Sequence, residues 1–314
     1  VRSGSDSGIR EDAVKYLYEN YVSVVAVISD DADIILKKID QLDQVMRENF
    51  RYYEYVFVDN HSADGSLEVL KGMDQKCTIV ELAKKHKLPQ AVMAGIDCAI
   101  GDYIFEIEDL RVDIDFRLLM DMYETCQQGN DFVFLTPRSS RSASRVFYRI
   151  LNQQLRYSAG GEITSSVCIL SSRRGQNKVA DMGDYIVNRN VAYAAAGLNY
   201  AHVEADIDYR NRRGALSNVN FMMDTFIFYT DLVIRMLSAA AAVFLIISVC
   251  IGIYSVLSYI FEDITPGWTS TIMFISFGFT GLFAILAVVS KYLDQILKNT
   301  SHSKQYVFRD FIKK

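Results

Sequence analysis

Five acidic residues of this sequence stand at or directly after the end of apolar segments with the composition of buried strands. They are Asp30, Asp31, Asp59, Glu108 and Asp109. A carboxylate in such a place can accept hydrogen bonds from the base or ribose of a nucleotide, and a close acidic pair can hold a hard divalent cation against a diphosphate. Neutralised in this way, the diphosphate becomes a leaving group. The same residue types also fit a second role, as caps of the helices that follow.

Alternating strand and helix signals would bring these acids to one place. The apolar segments that predict strands are 22–28, 53–59, 77–82, 102–108 and 131–136. Helical patterns separate them, and strands that are apolar on both faces are typical of a parallel sheet covered by helices, an α/β fold. The carboxyl ends of parallel strands meet at one edge, where functional side chains belong. No glycine-rich dinucleotide loop, P-loop or Gly-x-Ser-x-Gly turn follows these segments, which argues against those three classes of enzyme.

The composition excludes other functions. Lys and Arg number 33 against 38 for Asp and Glu, so the net charge is −5 and the chain lacks the basic excess of a nucleic-acid-binding protein. The five cysteines form no Cys-x-x-Cys pair, which fits a reducing compartment better than a disulfide framework or a zinc site. Segment 1–20 is polar, so we expect it to be an N-terminal lead segment and not a signal peptide.

Two long segments near the C-terminal end predict a transmembrane hairpin. Residues 236–261 and 264–290 contain no charged residue. A bilayer core of about 30 Å needs about 20 apolar residues in a helix, so we place two spans at about 236–261 and 267–290. The link between them carries two acids and no basic residue, whereas basic residues flank both spans. By the positive-inside rule, we expect both termini of this integral membrane protein to be cytoplasmic.

These segments divide the chain. We predict a cytoplasmic domain over 21–216, an amphipathic helix over 217–234, the hairpin over 235–290 and a basic tail over 291–314. The pattern of the amphipathic helix fits a helix in the headgroup layer and equally a core helix of the domain. Three arginines precede that helix: Arg210, Arg212 and Arg213. Their guanidinium groups could chelate a lipid phosphate, or they could serve only as topogenic charges.

Several motifs in their order resemble one enzyme family. They are VAVISDD at 25–31, VDNHSADGSLEVL at 58–70, AVMAGIDCAIGDYIFEIEDL at 91–110, ITPGWTS at 264–270, KYLDQI at 291–296 and YVFRD at 306–310. Taken together, they resemble the polyprenyl-phosphate glycosyltransferases, inverting family 2 enzymes of the GT-A fold related to dolichyl-phosphate mannose synthase. The resemblance runs from about Val22 to the C-terminus and is to the bacterial two-span type.

The resemblance implies a GT-A-like, mostly parallel sheet followed by an interfacial helix and a two-helix hairpin. It also implies a nucleotide-sugar donor, undecaprenyl or dolichyl phosphate as acceptor, Mg²⁺ or Mn²⁺, a bacterial plasma membrane and a homo-oligomer, often a tetramer. By resemblance, the nucleotide site is Asp30, Asp59, Asn60 and Ser62. Glu108, Asp109 and Asp113 are then the catalytic acids, with Glu108 and Asp109 as the metal ligands, and the three arginines meet the acceptor phosphate.

The sequence also departs from the family pattern. His61 stands at the glycine of the second motif, the acidic motif from Glu108 to Arg111 is one residue shorter, and SSVC at 165–168 lacks the acid and arginine of the usual segment. Three functions therefore stay open: an active polyprenyl-phosphate glycosyltransferase, a degenerate family member serving as a membrane scaffold or regulator, and a glycosyltransferase with another acceptor.

Overall fold

The computed structural model describes residues 17–138, 142–155, 161–182, 186–207, 215–230, 267–300 and 306–314, and single positions between 236 and 246. The strands are β1 (Tyr18–Ile28), β2 (Phe50–Asp59), β3 (Cys77–Leu82), β4 (Tyr103–Ile107), β5 (Phe132–Pro137), β6 (Cys168–Ser172), β7 (Tyr200–Ala205) and β8 (Phe308–Lys313). The helices are α1 (Ile35–Asn49), α2 (Ser66–Gly72), α3 (Leu88–Ile96), α4 (Leu118–Gln127), α5 (Ser142–Gln154), α6 (Arg173–Met182), α7 (Arg189–Ala195), α8 (Ala215–Tyr229) and α9 (Trp268–Thr300).

The strands form one mixed sheet in the order β7-β5-β6-β4-β1-β2-β3-β8. Strands β3, β2, β1 and β4 are parallel neighbours, and β6 runs antiparallel between β4 and β5. From β1 the chain proceeds to β2 and β3 on one side, then crosses to β4 on the other. The carboxyl ends of β1 and β4 thus flank a topological switch point, the place where open α/β sheets bind ligands.

Strand β1 lies at the centre of the core because both its faces are covered. Val24 and Ala26 pack in the cluster beneath α1 and α4, whereas Val25 and Val27 face the cluster that contains α3. Helix α3 approaches very closely, since a Cβ at Gly95 would lie 2.4 Å from a methyl group of Val25. The predicted parallel α/β sheet flanked by helices is confirmed for this part of the chain.

A second cluster covers β5 together with β6 and β7, two strands that sequence patterns did not predict. It joins β5 to helices α5 and α7, and the rings of Phe132 and Tyr193 stack within it at 4.5 Å. Helix α8 packs on this cluster through Met222, Phe226 and Tyr229. Helix α8 therefore has one face against the domain, while Val219 and Met223 stay exposed.

The C-terminal residues add an edge strand to the sheet. Strand β8 pairs antiparallel with β3, and the Lys314 ammonium group donates to the carbonyl oxygens of Leu70 and Met73 at the end of α2. An unpaired edge strand invites association with other chains, and β8 covers the edge of β3. The basic tail predicted for 291–314 thus contains the end of α9 and a strand.

The predicted hairpin is only partly within the described residues. Helix α9 contains the second predicted span and continues to Thr300. Of the helices in the described ranges, none has both the length and the hydropathy of a membrane span. The link and all but single positions of the first predicted span lie outside those ranges. The hairpin stays a prediction.

Candidate functional site at the carboxyl ends of β1, β2 and β4

The loops after β1 and β2 are tied to each other through Asp30. Its backbone N–H donates to Ser62 Oγ at 3.2 Å, and its Oδ1 accepts the N–H of Ala63 at 2.9 Å. Asp30 has a φ of 59°, a left-handed conformation that aspartate tolerates better than most residues. Lys85, in the loop after β3, lies 3.5 Å from its other carboxylate oxygen. The predicted nucleotide residues Asp30 and Ser62 are therefore neighbours.

Asp59 ends β2 as a buried carboxylate. Both its oxygens lie 3.4 Å from the N–H of Ser62, and burial raises the pKa of Asp59 above its ordinary value, although the Ser62 hydrogen bonds offset part of this rise. The side-chain acceptor at the start of the next helix is Asp64 instead, which precedes the N-cap residue Gly65. Asp64 accepts the N–H of Ser66, the first residue of α2, at 3.0 Å. The N–H of Ser62 thus holds the Asp59 carboxylate at the edge of the sheet, and none of the bonds described for Asp59 caps a helix.

Asn60 connects this loop to the one after β3. Its side-chain amide donates to the carbonyl oxygen of His86 at 3.0 Å, and its carbonyl oxygen accepts the N–H of His86 at 2.8 Å. An amide can make such a two-way bond with a backbone, whereas a carboxylate accepts only. The asparagine at this position therefore has a structural reason, which is to fix the loop that leads to α3.

Arg111 spans the switch point between β4 and β1. Its guanidinium group donates to Asp31 Oδ1 at 2.7 Å, to both oxygens of Asp33 and to the carbonyl oxygen of Asp30 at 2.9 Å. Asp31 is buried, which raises its pKa, and the bond from the Ser29 N–H and the charge of Arg111 lower it in part. The loop after β4 is thereby fastened to the loop after β1.

Glu108 begins a buried ionic network beneath the site. Arg189 Nη2 donates to Glu108 Oε1 at 2.6 Å, and Nη1 contacts Glu106 Oε2. The Arg189 side chain is 2% exposed; burial opposes its charge, but the carboxylates of Glu108 and Glu106 outweigh that effect and raise its pKa. The hydroxyl group of Tyr193 and the side-chain amide of Gln176 donate to Glu106 as well. Residues from β4, α6 and α7 are thus joined under the site.

The other predicted acids lie nearby with different surroundings. Asp109 is half-buried, accepts the N–H of Arg111 at 2.9 Å and acts electrostatically on Asp31. Asp113 is 94% exposed and pairs with Lys38 at 3.1 Å. Arg210, Arg212 and Arg213 lie outside the described residues. Of the three predicted catalytic acids, Asp109 is therefore the one that the described interactions connect to Arg111 and Asp31 at the switch point.

The chemistry of the site suits a hard cation in part. Its charged groups include Asp30, Asp31, Asp33, Glu108, Asp109, Arg111 and Arg189. The carboxylates outnumber the guanidinium groups, and all the acidic ligands are oxygens. Within the described residues, no three potential ligands are gathered into a metal site. Mg²⁺ in nucleotide sites takes one or two carboxylates and completes its shell with phosphate oxygens and water, so the two carboxylates predicted for this role, Glu108 and Asp109, are sufficient in number.

Sequence reasoning missed Glu106, Arg189 and the role of Arg111. One signal was present, because Glu106 is a charged residue within the apolar strand YIFEI. A buried charge needs a partner, and Glu106 therefore predicts a cationic group elsewhere in the core. Arg189 lies 83 positions later, and the sequence alone gives no indication of which basic residue fills that role.

Comparisons with known proteins bear on the family and the fold. Residues 23–166 match the family model described as Glycosyl transferase family 2. The uncharacterized glycosyltransferase YkcC of Bacillus subtilis is 26% identical over 41% of this chain and 43% of its own length. The undecaprenyl-phosphate 4-deoxy-4-formamido-L-arabinose transferase of Edwardsiella ictaluri is 21% identical over 93% of this chain and 94% of its own length.

Among solved structures, glucosyl-3-phosphoglycerate synthase of Mycobacterium tuberculosis, in complex with Mn²⁺, UDP-glucose and phosphoglyceric acid, has a TM-score of 0.50. It is 13% identical, and the match covers 67% of this chain and 78% of that one. This likeness confirms the GT-A-like sheet flanked by helices. The resemblance seen in the sequence is confirmed as well, since residues 23–166 match the model of family 2 glycosyltransferases.

Proposed function

We propose that this chain is a membrane-bound inverting glycosyltransferase, which moves a sugar from a nucleotide-sugar donor to undecaprenyl or dolichyl phosphate. One observation carries the proposal above all. The similarity to undecaprenyl-phosphate transferases extends over 311 residues, well beyond the family 2 domain and into the C-terminal helical part. A glycosyltransferase domain followed by that part is the arrangement expected for an enzyme whose acceptor is a membrane lipid.

The donor nucleotide is assigned to the loops after β1 and β2. Asp59 accepts hydrogen bonds from the base, and Asp30 and Ser62, which contact each other, line the neighbouring part of the nucleotide site. Asn60 holds the adjoining loop in place through His86. Asp30, Asp59 and Ser62 belong to the loops after β1 and β2, which are joined by hydrogen bonds. The nucleotide therefore meets a surface that is already ordered, which reduces the entropy lost on binding.

The cation is assigned to Glu108 and Asp109. Bound there, Mg²⁺ or Mn²⁺ would supply positive charge to the diphosphate of the donor. Arg189 orients Glu108 from below through its Nη2. Asp113 is a further candidate from sequence, and its exposed position beside Lys38 makes it the weakest of the three acids.

The reaction needs positioning more than proton transfer. A phosphate oxygen of the acceptor attacks the anomeric carbon from the face opposite the nucleotide and forms the new C–O bond. The bond from that carbon to the diphosphate breaks, and its electron pair leaves with the nucleoside diphosphate. Because the lipid phosphate is already anionic, no strong general base is required, and the enzyme contributes alignment and electrostatic stabilisation.

The C-terminal strand supports the predicted topology. Strand β8 pairs with β3, so the domain and the last residues lie on one side of any membrane that the chain crosses. The segment between α8 and β8 must then cross an even number of times, as a two-span hairpin does. With basic flanks, both termini would be cytoplasmic, in a bacterial plasma membrane. The same proposal includes the tetramer, the exact spans and the contact of the acceptor phosphate with Arg210, Arg212 and Arg213.

A transfer assay tests the proposal. The full chain in lipid nanodiscs is incubated with Mg²⁺ or Mn²⁺, a panel of radiolabelled nucleotide sugars and undecaprenyl phosphate. We expect label from one donor in the lipid phase, and none when undecaprenol, which lacks the phosphate, replaces the acceptor. No lipid-phase label from any donor, with either undecaprenyl or dolichyl phosphate, would contradict the proposal.

A degenerate scaffold is the second candidate, and one observation favours it. The carboxylates of Asp31, Asp33 and Glu108 are already paired with guanidinium groups. If these ion pairs take the place of contacts with the nucleotide-sugar donor, the chain will bind no nucleotide sugar at millimolar concentration in isothermal titration calorimetry. A metal-dependent donor affinity in that measurement would exclude the scaffold.

A further inference from the structure

Two lysines that lie far apart in the sequence meet at one carboxylate. Lys87 Nζ lies 3.0 Å from Asp224 Oδ2, and Lys291 Nζ lies 2.9 Å from Asp224 Oδ1. Lys87 precedes α3, Asp224 belongs to α8, and Lys291 belongs to α9. Three elements of the chain, the family 2 domain, the amphipathic helix and the predicted membrane helix, thus share one cluster of charges.

The depth of this cluster is set by the sequence of α9. Lys291 is the first charged residue after the uncharged segment 264–290. If that segment spans the bilayer, the ammonium group of Lys291 lies where hydrocarbon gives way to headgroups. The phosphate of a polyprenyl phosphate lies at the same level, because its hydrocarbon chain is in the bilayer.

The geometry of the cluster is that of an anion site. Each oxygen of the Asp224 carboxylate takes one ammonium group, as two oxygens of a phosphate would. The two lysines outweigh the single carboxylate in charge, and they lower the pKa of Asp224 despite its partial burial. A phosphomonoester carries more negative charge than a carboxylate and more acceptor oxygens, so it can compete for both ammonium groups.

The side chains are placed so that such an exchange is possible. Lys87 is 63% exposed, Lys291 is 38% exposed and Asp224 is 20% exposed. The opposite face of α8 is fixed to the domain by Phe226, whose ring lies 5.2 Å from that of Phe147. Helix α8 can therefore keep its position while the lysine side chains change partner.

We propose that Lys87 and Lys291 bind the phosphate group of the polyprenyl-phosphate acceptor, and that Asp224 holds the two ammonium groups ready until the phosphate displaces it. The proposal rests on the proposed function for the identity of the lipid. It adds a binding site formed by α8, α9 and the start of α3, which is separate from the three arginines predicted from sequence. The ligand class is a phosphomonoester carried by a membrane lipid.

Binding of lipid to the full chain in detergent, measured by native mass spectrometry, tests the site. The variant Lys87→Gln/Lys291→Gln should lose affinity for undecaprenyl phosphate by about tenfold or more, since hydrogen bonds between charged groups are lost. The matched control is Lys84→Gln/Lys298→Gln, which removes the same charge from the same loop and helix and should bind like the parent. Lys87→Arg/Lys291→Arg should restore binding, and Asp224→Asn should tighten it.

Other ligands identify the source of the phosphate. Undecaprenol and inorganic phosphate should bind weakly, and neither should respond to the lysine substitutions as undecaprenyl phosphate does. Phosphatidylglycerol, a phosphodiester, should respond less. Equal losses for phosphatidylglycerol would reduce the cluster to a general headgroup contact and overturn the proposal. Inorganic phosphate bound as tightly as the lipid would also overturn it.

The remaining outcomes separate this inference from the proposed function. Unchanged affinity of the folded double variant for undecaprenyl phosphate would overturn the lysine site, even if sugar transfer is observed. Lysine-dependent binding without any sugar transfer would support the site and refute the transferase. If the double variant fails to fold, the exposed Lys87 alone gives the same test through Lys87→Gln and Lys87→Arg.

Discussion

The two halves of the candidate site are stabilised in different ways. On the side of β1 and β2, backbone N–H groups donate to Asp30, Asp59 and Asp64 over short loops. On the side of β4, a buried guanidinium group from α7 joins Glu106 and Glu108. The first half is a set of separate hydrogen bonds, whereas the second is one ionic unit around a guanidinium group that is 2% exposed.

This difference has a physical consequence. Removing one of several separate hydrogen bonds costs about 0.5–1.5 kcal/mol. Removing one member of a buried ionic network leaves an uncompensated charge in a medium of low dielectric constant. Substitutions in the β1–β2 half should therefore change stability little and reduce function, whereas substitutions in the β4 half should destabilise the fold.

The largest effect is expected for Arg189→Met. The variant leaves Glu106 buried without its cationic partner, and we expect a loss of about 3–5 kcal/mol in the free energy of unfolding. Urea unfolding followed by circular dichroism measures it. As a control, Arg117→Met breaks the exposed pair with Asp115 and should leave the free energy of unfolding nearly unchanged. Similar losses in the two variants would remove the distinction between the halves.

Asp59→Asn should affect function and leave the fold intact. A carboxylate hydrogen bond to the base is worth about 1.5–3 kcal/mol, so the affinity for the donor nucleotide should fall by about ten- to a hundredfold. Calorimetric titration with nucleoside diphosphates measures the change. The β1–β2 half would not be the nucleotide site if the variant bound the nucleotide as the parent does.

The same variant has a signed effect on the pH dependence of stability. Burial raises the pKa of Asp59 above 3.8, so ionising this group costs stability as the pH rises from 3.8 to the raised pKa. Asp59→Asn removes that cost. Relative to the parent, the variant should be more stable at pH 7, and this gain should vanish below pH 3.8 in thermal unfolding. A gain that instead grew as the pH fell would contradict the raised pKa.

Asp64→Ala gives a smaller, purely structural effect. It removes the acceptor for the N–H of Ser66 at the start of α2, and such losses cost about 1 kcal/mol. Urea unfolding should show this cost, while nucleotide affinity should stay within about twofold, less than the tenfold that 1.4 kcal/mol would give. A nucleotide affinity that fell as far as in Asp59→Asn would place Asp64 in the binding site.

The smallest effect is expected for Lys85→Gln. Lys85 and Asp30 form an exposed pair at 3.5 Å, and exposed pairs contribute about 0–1 kcal/mol. Thermal unfolding at low and high salt should show little difference between variant and parent. A large loss that disappears at high salt would mean that the β1–β2 half, too, depends on an ionic network.

The sequence predicted the half that is built locally. The strand-end positions of Asp30 and Asp59 could be predicted because the end of a strand is visible in the pattern of apolar residues, and the five strand segments from β1 to β5 have the same signal. The partner of Glu106 could not be found, since Arg189 meets it only through the antiparallel insertion of β6 and the packing of α7. Strand β8 was missed for a similar reason, because its pairing with β3 joins residues more than 200 positions apart.

The central claim is the transfer of a sugar to a lipid phosphate, and the stoichiometry of the products tests it most directly. Nucleoside diphosphate released and glycosylated lipid formed are quantified together by mass spectrometry, with the full chain, the active donor and undecaprenyl phosphate. We predict one nucleoside diphosphate for each glycosyl phosphate lipid, and neither product with undecaprenol. Nucleoside diphosphate released equally with undecaprenol, without any glycosylated lipid, would contradict the claim.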